Sequence, residues 1–144
     1  VEDISRICSI GWLQTVKGKY SKKYERENVQ YWYNHKKVLE DIANGIYTHV
    51  ALIGNEVAGT IGGIVTEEIS EIYVFYVDEK FRYQGIGKKL LEAFTVEHLK
   101  QGAVKQAASV EKGNALGIPF YEARGFRLGK DKRYWRNLHV FVTE

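Results

Sequence analysis

Residues 82–87, Arg-Tyr-Gln-Gly-Ile-Gly, form a short glycine-containing segment between two patterned stretches of the chain. The stretch before it, residues 72–77, is apolar and aromatic throughout, which is typical of a strand buried on both faces. After it, Ile86, Leu90 and Phe94 recur at four-residue spacing, which indicates an amphipathic helix. A helix begins with unpaired N–H groups and the positive end of its dipole, and glycine allows a ligand to approach closely. The segment therefore predicts a phosphate-binding loop.

Two nucleotide-binding patterns can be compared with this loop. A P-loop is excluded because no Gly-Lys-Ser/Thr follows a four-residue spacer. A dinucleotide fingerprint requires glycines at the strand end and a third glycine for helix packing, whereas Gly85 lies eight residues after Val77 and Leu90 occupies the third position. Glu111 ends the next predicted strand, where an acid would bind a ribose, so dinucleotide binding stays open as the poorer fit.

The rest of the pattern predicts the elements that position this loop. Three glycines in the second strand of a hairpin, Gly59, Gly62 and Gly63, predict a bulge or a close backbone approach. The element order ααβββαβαββ predicts a mixed sheet with helices on its faces. The predicted elements are a helix from Asp3 to about Val16, a helix from Ser21 to roughly Asn44, strands at 48–53, 57–66, 71–77 and 104–110, the helix after Gly85, a short helix from Asn114 to Gly125, and a closing hairpin of 126–134 and 138–143 that turns near Arg136 and Asn137.

A second motif lies at residues 114–126, where Asn114 precedes a Phe-Tyr pair at 120–121 and a Gly-Phe pair at 125–126. Together with Arg82-x-x-Gly85-x-Gly87, this motif resembles the GCN5-related N-acetyltransferase (GNAT) family over about residues 50–144. The resemblance implies an α/β (α+β) fold in one domain, residues 1–144, with about six to seven strands and about four helices. Its two central parallel strands would splay apart around acetyl-CoA. A further strand before Val1 is left open.

The resemblance also implies which residues bind the donor. Backbone groups of Tyr76 and Val77 would contact the pantetheine arm, and Asn114 would hold the donor or a water, or simply cap its helix. Lys80 and Lys89 would attract the phosphates, or they would be solvated side chains without a role in binding. The residues expected to surround the pyrophosphate are Arg82, Tyr83, Gln84, Gly85, Ile86, Gly87 and Lys88.

Two residues are candidates for proton transfer. Tyr121 aligns with the family's proton donor to the CoA sulfur, and a phenol stays protonated near neutral pH; the alternative is a packed tyrosine beside Phe120. Glu71 resembles the position of the catalytic glutamate in the histone-acetylating branch, and a solvated acid at a strand end is an equal alternative. Glu67 and Glu68 are rivals that would attract a cationic amine.

Composition limits the classes of function. The 144 residues are 44% hydrophobic and 27% charged, which is ordinary for one globular domain. The net charge of +3 is too small to indicate nucleic-acid binding but suits a polyanionic small ligand. No apolar run has the length of a membrane span and no signal segment opens the chain, so we expect a cytoplasmic protein. Cys8, the only cysteine, is expected to be a small buried hydrophobe, and the four histidines lack metal-ligand spacing, so no metal is predicted.

The sequence therefore predicts an N-acetyltransferase that moves an acetyl group from acetyl-CoA directly to a primary amine of a small molecule or peptide. A non-catalytic acyl-CoA-binding module and, less well supported, a nicotinamide-dinucleotide-binding domain are the alternatives. The acceptor is expected between the first two helices, the hairpin after Thr48 and the terminal hairpin with Tyr134 and Trp135. The aromatic residues of the first two helices are interpreted as core packing, with a pocket wall as the alternative. The identity of the amine and a homodimer stay open.

Overall fold

The structure, a computed structural model, describes residues 1–110, 117–130 and 133–137. Asn114, Glu111 and the predicted strand 138–143 lie outside the described residues. A short 3-10 turn, Glu79–Phe81, precedes the central helix. The described elements are α1 (Glu2–Thr15), α2 (Lys22–Tyr33), α3 (His35–Ala43), β1 (Tyr47–Ile53), β2 (Glu56–Thr66), β3 (Ile69–Val77), α4 (Ile86–Lys100), β4 (Lys105–Ala108), α5 (Gly117–Ala123), β5 (Arg127–Leu128) and β6 (Tyr134–Asn137).

The six described strands form one mixed sheet in the order β1-β2-β3-β4-β6-β5. Only β3 and β4 are parallel, and every other neighbouring pair is antiparallel. The predicted mixed sheet with one parallel central pair is therefore confirmed. Within the described ranges, no helix is both long and apolar enough to cross a membrane.

Two apolar clusters cover the two faces of the sheet. Phe94 of α4 and Phe126 after α5 belong to one cluster, and Cys8 of α1 and Val38 of α3 belong to the other. Near its end β3 alternates between them, because Phe75 and Val77 pack against the first cluster whereas Val74 and Tyr76 belong with the second. β3 is therefore covered on both faces, as its continuous apolar sequence predicted.

A β-bulge in β3 separates it from β4. Gly63 of β2 pairs with Ile72 and Gly62 pairs with Val74, so Tyr73 is an extra residue on β3. A bulged strand bends, and the parallel pairing with β4 ends at the same place, at Ile72 and Ala108. Glycine is required opposite the bulge, because a β-carbon on Gly63 would lie 1.8 Å from the Glu71 carbonyl oxygen. The predicted close backbone approach at Gly62 and Gly63 is confirmed, and the extra residue of the bulge lies on β3 and not on β2.

The predicted long helix from Ser21 to Asn44 is wrong, because Asn34 divides it into α2 and α3. Asn34 has extended backbone angles, and its side-chain oxygen accepts a hydrogen bond from the Lys37 N–H at 2.8 Å, which caps α3. Its side-chain amide donates to the carbonyl of Gln30 at 2.6 Å and thereby binds the end of α2. The apolar periodicity continues across the break, so it gave no sign of it.

The predicted turn of the closing hairpin is also misplaced. β5 pairs antiparallel with β6, and the Gly129 N–H donates to the Arg133 carbonyl at 2.6 Å, so the chain reverses direction between these two strands. Arg136 and Asn137, the predicted turn residues, belong to β6 and pair with Gln106 and Lys105 of β4. Pairing with a distant strand set this position, and local alternation contains no information about it.

Candidate active site

The loop before α4 has the local geometry that anion binding requires. Gly85 is the N-cap of α4 with φ 77°, and the first helical bond is donated by the Lys89 N–H to the Gly85 carbonyl at 3.1 Å. The four preceding N–H groups, of residues 85–88, have no acceptor within the described part of the chain. A helix start with free N–H groups is a favourable position for a phosphate.

A cleft of about 1330 Å³ extends from this loop along the end of β3, and its walls come from α1, α2, α4 and α5. Gln84 is the one member of the predicted loop that does not line the cleft, and it is exposed. The other predicted site residues that line it are Glu71, Tyr76, Val77, Arg82, Tyr83, Gly85, Ile86, Gly87, Lys88 and Tyr121. The fold thus brings together the loop, the strand end and the tyrosine of the second motif.

The end of β3 offers backbone groups to the cleft at Val77. The Asp78 N–H donates to the Ala58 carbonyl at 2.7 Å, so the Asp78 backbone faces β2. Backbone groups alternate along a strand, and those of Val77 therefore face the gap that β4 has left. The Tyr76 carbonyl faces β2 at Gly59, so the expectation of a Tyr76 backbone contact is wrong in orientation, and Tyr76 contributes its ring instead.

Tyr121 is both packed and directed at the cleft. Its ring lies 5.1 Å from the Phe126 ring and 5.6 Å from the Phe120 ring, measured between centroids, and the residue is only 8% exposed. Burial, with a smaller contribution from the neighbouring Tyr76, raises the pKa of Tyr121 above its ordinary value. Its hydroxyl is therefore protonated at neutral pH, and no hydrogen bond to it occurs within the described residues.

Glu71 lies in the cleft as one half of an ion pair. Its Oε1 accepts from Arg133 Nη1 at 3.2 Å, and its side chain is 30% exposed. The pair joins β3 to the residue before β6, just below the bulge. A carboxylate in this position can accept a proton directly or through water.

Glu67 and Glu68 are excluded as rivals to Glu71. They form the two-residue turn between β2 and β3, with φ 50° and 67°. The cleft is lined by β3 from Glu71 to Val77, and neither residue of this turn lines it. Their positive φ values are those of a tight hairpin turn, so the turn explains the presence of these two residues.

The basic side chains near the loop differ in what they contact. Lys80 pairs with Glu56 at 3.1 Å and does not line the cleft, whereas Lys88 does line it. The Arg82 guanidinium donates to the side-chain oxygen of Gln14 in α1, and the Gln14 amide donates to Glu79 at 2.8 Å. Gln14 therefore connects α1 to the loop. Sequence reasoning missed it, because an isolated glutamine in a helix carries no motif.

Two aromatic residues of α2, Tyr24 and Trp32, form a cleft wall, whereas Tyr33 packs against the second apolar cluster. α2 has no buried residue, and Tyr24 and Trp32 both line the cleft while remaining about half exposed. Tyr24 lies 4.7 Å from the Tyr20 ring, and Tyr20 stacks on Trp12 of α1 at 6.4 Å. The interpretation of these aromatics as helix-on-sheet packing holds for Tyr33, which contacts Tyr76 of β3, whereas the alternative of a pocket wall fits Tyr24 and Trp32.

Two buried tyrosines of the cleft, Tyr33 and Tyr47, carry uncharged hydroxyl groups. Burial raises the pKa values of the Tyr33 and Tyr47 hydroxyls, and both residues line the cleft. Asp41, the carboxylate on this side, pairs with Lys37 at 3.0 Å. Cys8 is fully buried and burial raises its pKa to about 12, so the thiol is not a nucleophile, as the sequence predicted.

Comparison with known proteins agrees with this geometry. A family model described as "Acetyltransferase (GNAT) family" matches residues 8–126. The chain belongs to the GNAT acetyltransferase family. Membership of this family explains why the loop and the second motif occur in this order, and the predicted resemblance is confirmed.

Similar proteins share the fold at low sequence identity. The chain is 24% identical over 136 residues to spermidine N(1)-acetyltransferase from Thermoplasma acidophilum, which covers 89% of this chain and 84% of that protein. The PaiA N-acetyltransferase structure from Thermoplasma acidophilum, in complex with coenzyme A, matches with a TM-score of 0.82 at 21% identity, covering 94% of this chain and 91% of that one. A GNAT acetyltransferase from Staphylococcus aureus Mu50 matches with a TM-score of 0.74 at 20% identity, covering 95% and 92%.

Proposed function

We propose that this GNAT protein is an N-acetyltransferase, in one domain over residues 1–144, that transfers the acetyl group of acetyl-CoA to a primary amine. The observation that carries the proposal is that three features line one cleft. These are the free N–H groups of residues 85–88, the open backbone edge at Val77, and the protonated hydroxyl of Tyr121. A pyrophosphate, an amide-containing arm and a thioester, in that order, match these three features.

Different groups of the chain bind different parts of the donor. The N–H groups of residues 85–88 bind the pyrophosphate, and the dipole of α4 adds to the attraction. Val77 offers its backbone N–H and carbonyl to the amides of the pantetheine arm, in place of the strand pairing that β3 loses beyond Ile72. Acetyl-CoA supplies an acyl group activated as a thioester.

Proton transfer falls to two side chains. The amine nitrogen forms a bond to the thioester carbonyl carbon while the carbon–sulfur bond breaks. Tyr121 donates its hydroxyl proton to the departing sulfur, and Glu71 accepts the proton that the amine loses, directly or through a water. Tyr121 is protonated at neutral pH, as a proton donor must be, and it lines the cleft.

The acceptor occupies the aromatic end of the cleft. Trp12, Tyr20 and Tyr24 offer ring faces that attract a cationic or apolar amine. The relative named spermidine N(1)-acetyltransferase makes a polyamine one candidate. Asp41 and Glu71 are each already paired with a cation, so an amino acid or a peptide amine is an equal candidate.

The test combines binding with turnover. Calorimetric titration is expected to detect acetyl-CoA and not NAD, and release of CoA is expected with at least one amine from a panel of polyamines, amino acids and peptides. Tyr121→Phe should lower kcat at least about 100-fold, because the proton donor is lost, while the dissociation constant of acetyl-CoA is unchanged. Tyr73→Phe, in the same cleft wall, serves as the matched control and should keep full activity.

Two outcomes would contradict the proposal in different ways. Binding of NAD without binding of acetyl-CoA would favour a dinucleotide domain. Tight binding of acetyl-CoA without turnover of any amine would favour an acyl-CoA-binding module.

A further inference from the structure

Tyr83 has an unusual backbone conformation for a bulky residue. Its φ is 64°, in the left-handed region that glycine adopts freely and that a side chain makes unfavourable. The other non-glycine residues with positive φ in the described ranges, Glu67 and Glu68, form a hairpin turn that requires it. Tyr83 is not in a hairpin, since it lies between the 3-10 turn Glu79–Phe81 and α4. Its conformation is therefore an outlier that a hairpin does not explain.

The Tyr83 side chain contributes little to the fold. The residue is 93% exposed, and within the described residues its ring contacts no other ring and its hydroxyl makes no hydrogen bond. The tyrosines on the opposite wall differ, since Tyr20 and Tyr24 lie 4.7 Å apart, centroid to centroid. A strained and exposed tyrosine has a cost in the free chain, and a role in binding would account for it.

Tyr83 lies where the outer end of the donor would be. It lines the cleft two residues before Gly85, where the unpaired N–H groups begin. A donor whose thioester lies beside Tyr121 and whose pyrophosphate lies on residues 85–88 has its nucleoside beyond the pyrophosphate, at the outer rim. A flat exposed phenol at that rim can stack on a purine.

We propose that the Tyr83 ring stacks on the adenine of the donor, an inference that rests on the proposed function. The contact lies outside the reacting centre, so it should change the affinity for the donor and not the rate of acetyl transfer. Stacking of a base on an aromatic side chain changes affinity by about five- to hundredfold. The ring is already held away from the chain before binding, so little is lost in ordering it.

The experiment compares two donors on three proteins by calorimetric titration. The donors are acetyl-CoA and acetyl-phosphopantetheine, which lacks the adenosine with its 3′-phosphate and keeps one phosphate of the pyrophosphate. The proteins are the wild type, Tyr83→Gly, which removes the ring and relieves the strain, and Tyr83→Phe, which keeps the ring. Tyr83→Gly should raise the dissociation constant of acetyl-CoA about five- to hundredfold and leave that of acetyl-phosphopantetheine unchanged. Tyr83→Phe should leave both within about twofold, because the stacking ring is kept.

Each other result overturns the inference. Equal weakening of both donors by Tyr83→Gly would show that loop geometry, and not the base, is affected. An unchanged affinity of Tyr83→Gly for acetyl-CoA would exclude stacking while leaving the proposed function intact. A wild-type protein that binds neither donor would contradict the proposed function and this inference with it. A thermal unfolding temperature of Tyr83→Gly at or above that of the wild type verifies that the variant is folded.

Discussion

At the scale of single residues, His98 shows how burial determines charge. The imidazole is almost fully buried under the sheet, where its Nδ1 shares a hydrogen bond of 2.6 Å with the Ser70 hydroxyl. Gln106 donates to the same hydroxyl at 3.2 Å and to Thr95 at 3.2 Å, so the group links α4 to both parallel strands. Burial is the main cause that lowers the pKa of His98 to about 4, and His49 adds to it.

His98 should make the protein less stable in mild acid. Its folded pKa lies below its ordinary value of 6.5, so between pH 6.5 and pH 4 the unfolded chain binds a proton that the folded chain does not. The free energy of unfolding should therefore fall by about 3 kcal/mol as the pH decreases through this range, and the contribution is complete above pH 6.5. Urea unfolding of the wild type and His98→Asn over this range measures it. The variant should lack this part of the slope, and an identical slope in both would contradict the prediction.

At the scale of elements, the break between α2 and α3 depends on one side chain. Asn34 caps α3 through its oxygen and binds the end of α2 through its amide. Asn34→Ala should lower the free energy of unfolding by about 1–2 kcal/mol, because both helix ends lose a hydrogen-bond partner. Thermal or urea unfolding checks this. Ser21→Ala, which removes only the cap of α2, is the comparison and should cost less. A smaller loss for Asn34→Ala would contradict the double role.

The start of α4 makes a second prediction at this scale. Gly85→Ala places a β-carbon at φ 77° and Gly87→Ala places one 3.2 Å from the Phe120 ring, so each should disturb the N–H groups at the helix start. We expect the dissociation constant of acetyl-CoA to increase about fivefold or more, since strain of about 1 kcal/mol is involved. Gly102→Ala, with φ 92° at the opposite end of α4, has comparable strain and should not change the affinity. Unchanged affinity in both loop variants would contradict the loop assignment.

At the scale of the whole molecule, side-chain contacts among the described residues connect the parts of the protein on either side of the cleft. Arg6 of α1 pairs with Asp78 at 2.9 Å, and Gln14 contacts Arg82 and Glu79, so α1 is tied to the loop by side chains at the surface. The pair of Arg6 and Asp78 lowers the pKa of that carboxyl, although both side chains are near solvent. A ligand that fills the cleft contacts both walls and should hold them together.

Donor binding should therefore stabilise the whole fold. At a free concentration of about 100 times its dissociation constant, acetyl-CoA should add about 2.7 kcal/mol to the free energy of unfolding, which raises Tm by several degrees. A thermal shift titration measures this, with NAD as the control that should give no shift. A shift that is equal with both ligands would indicate non-specific anion binding and would contradict the site.

Much of the fold was predictable, because its elements are encoded by short-range patterns. The apolar run of β3, the four-residue repeat of α4 and the glycines of β2 each reflect a local physical requirement. The break at Asn34 and the position of the last turn were not predictable from pattern. The break depends on the Asn34 side chain, which forms hydrogen bonds with backbone groups of both helices. The position of the turn depends on the pairing of β6 with β4, about thirty residues earlier in the chain.

For the candidate site, the sequence by itself determined a loop whose geometry suits an anion, because the free N–H groups of a helix start and the glycine at its N-cap are local properties. It also supplied Tyr121 and Glu71 as proton-transfer candidates, whose roles stay predictions. Only the tertiary structure decided that Glu71 is paired with Arg133, that the Tyr76 backbone faces away from the cleft, and that Tyr24 and Trp32 of α2 form part of its wall. Charge pairing, backbone direction and burial depend on residues that meet only after folding, so no spacing along the chain encodes them.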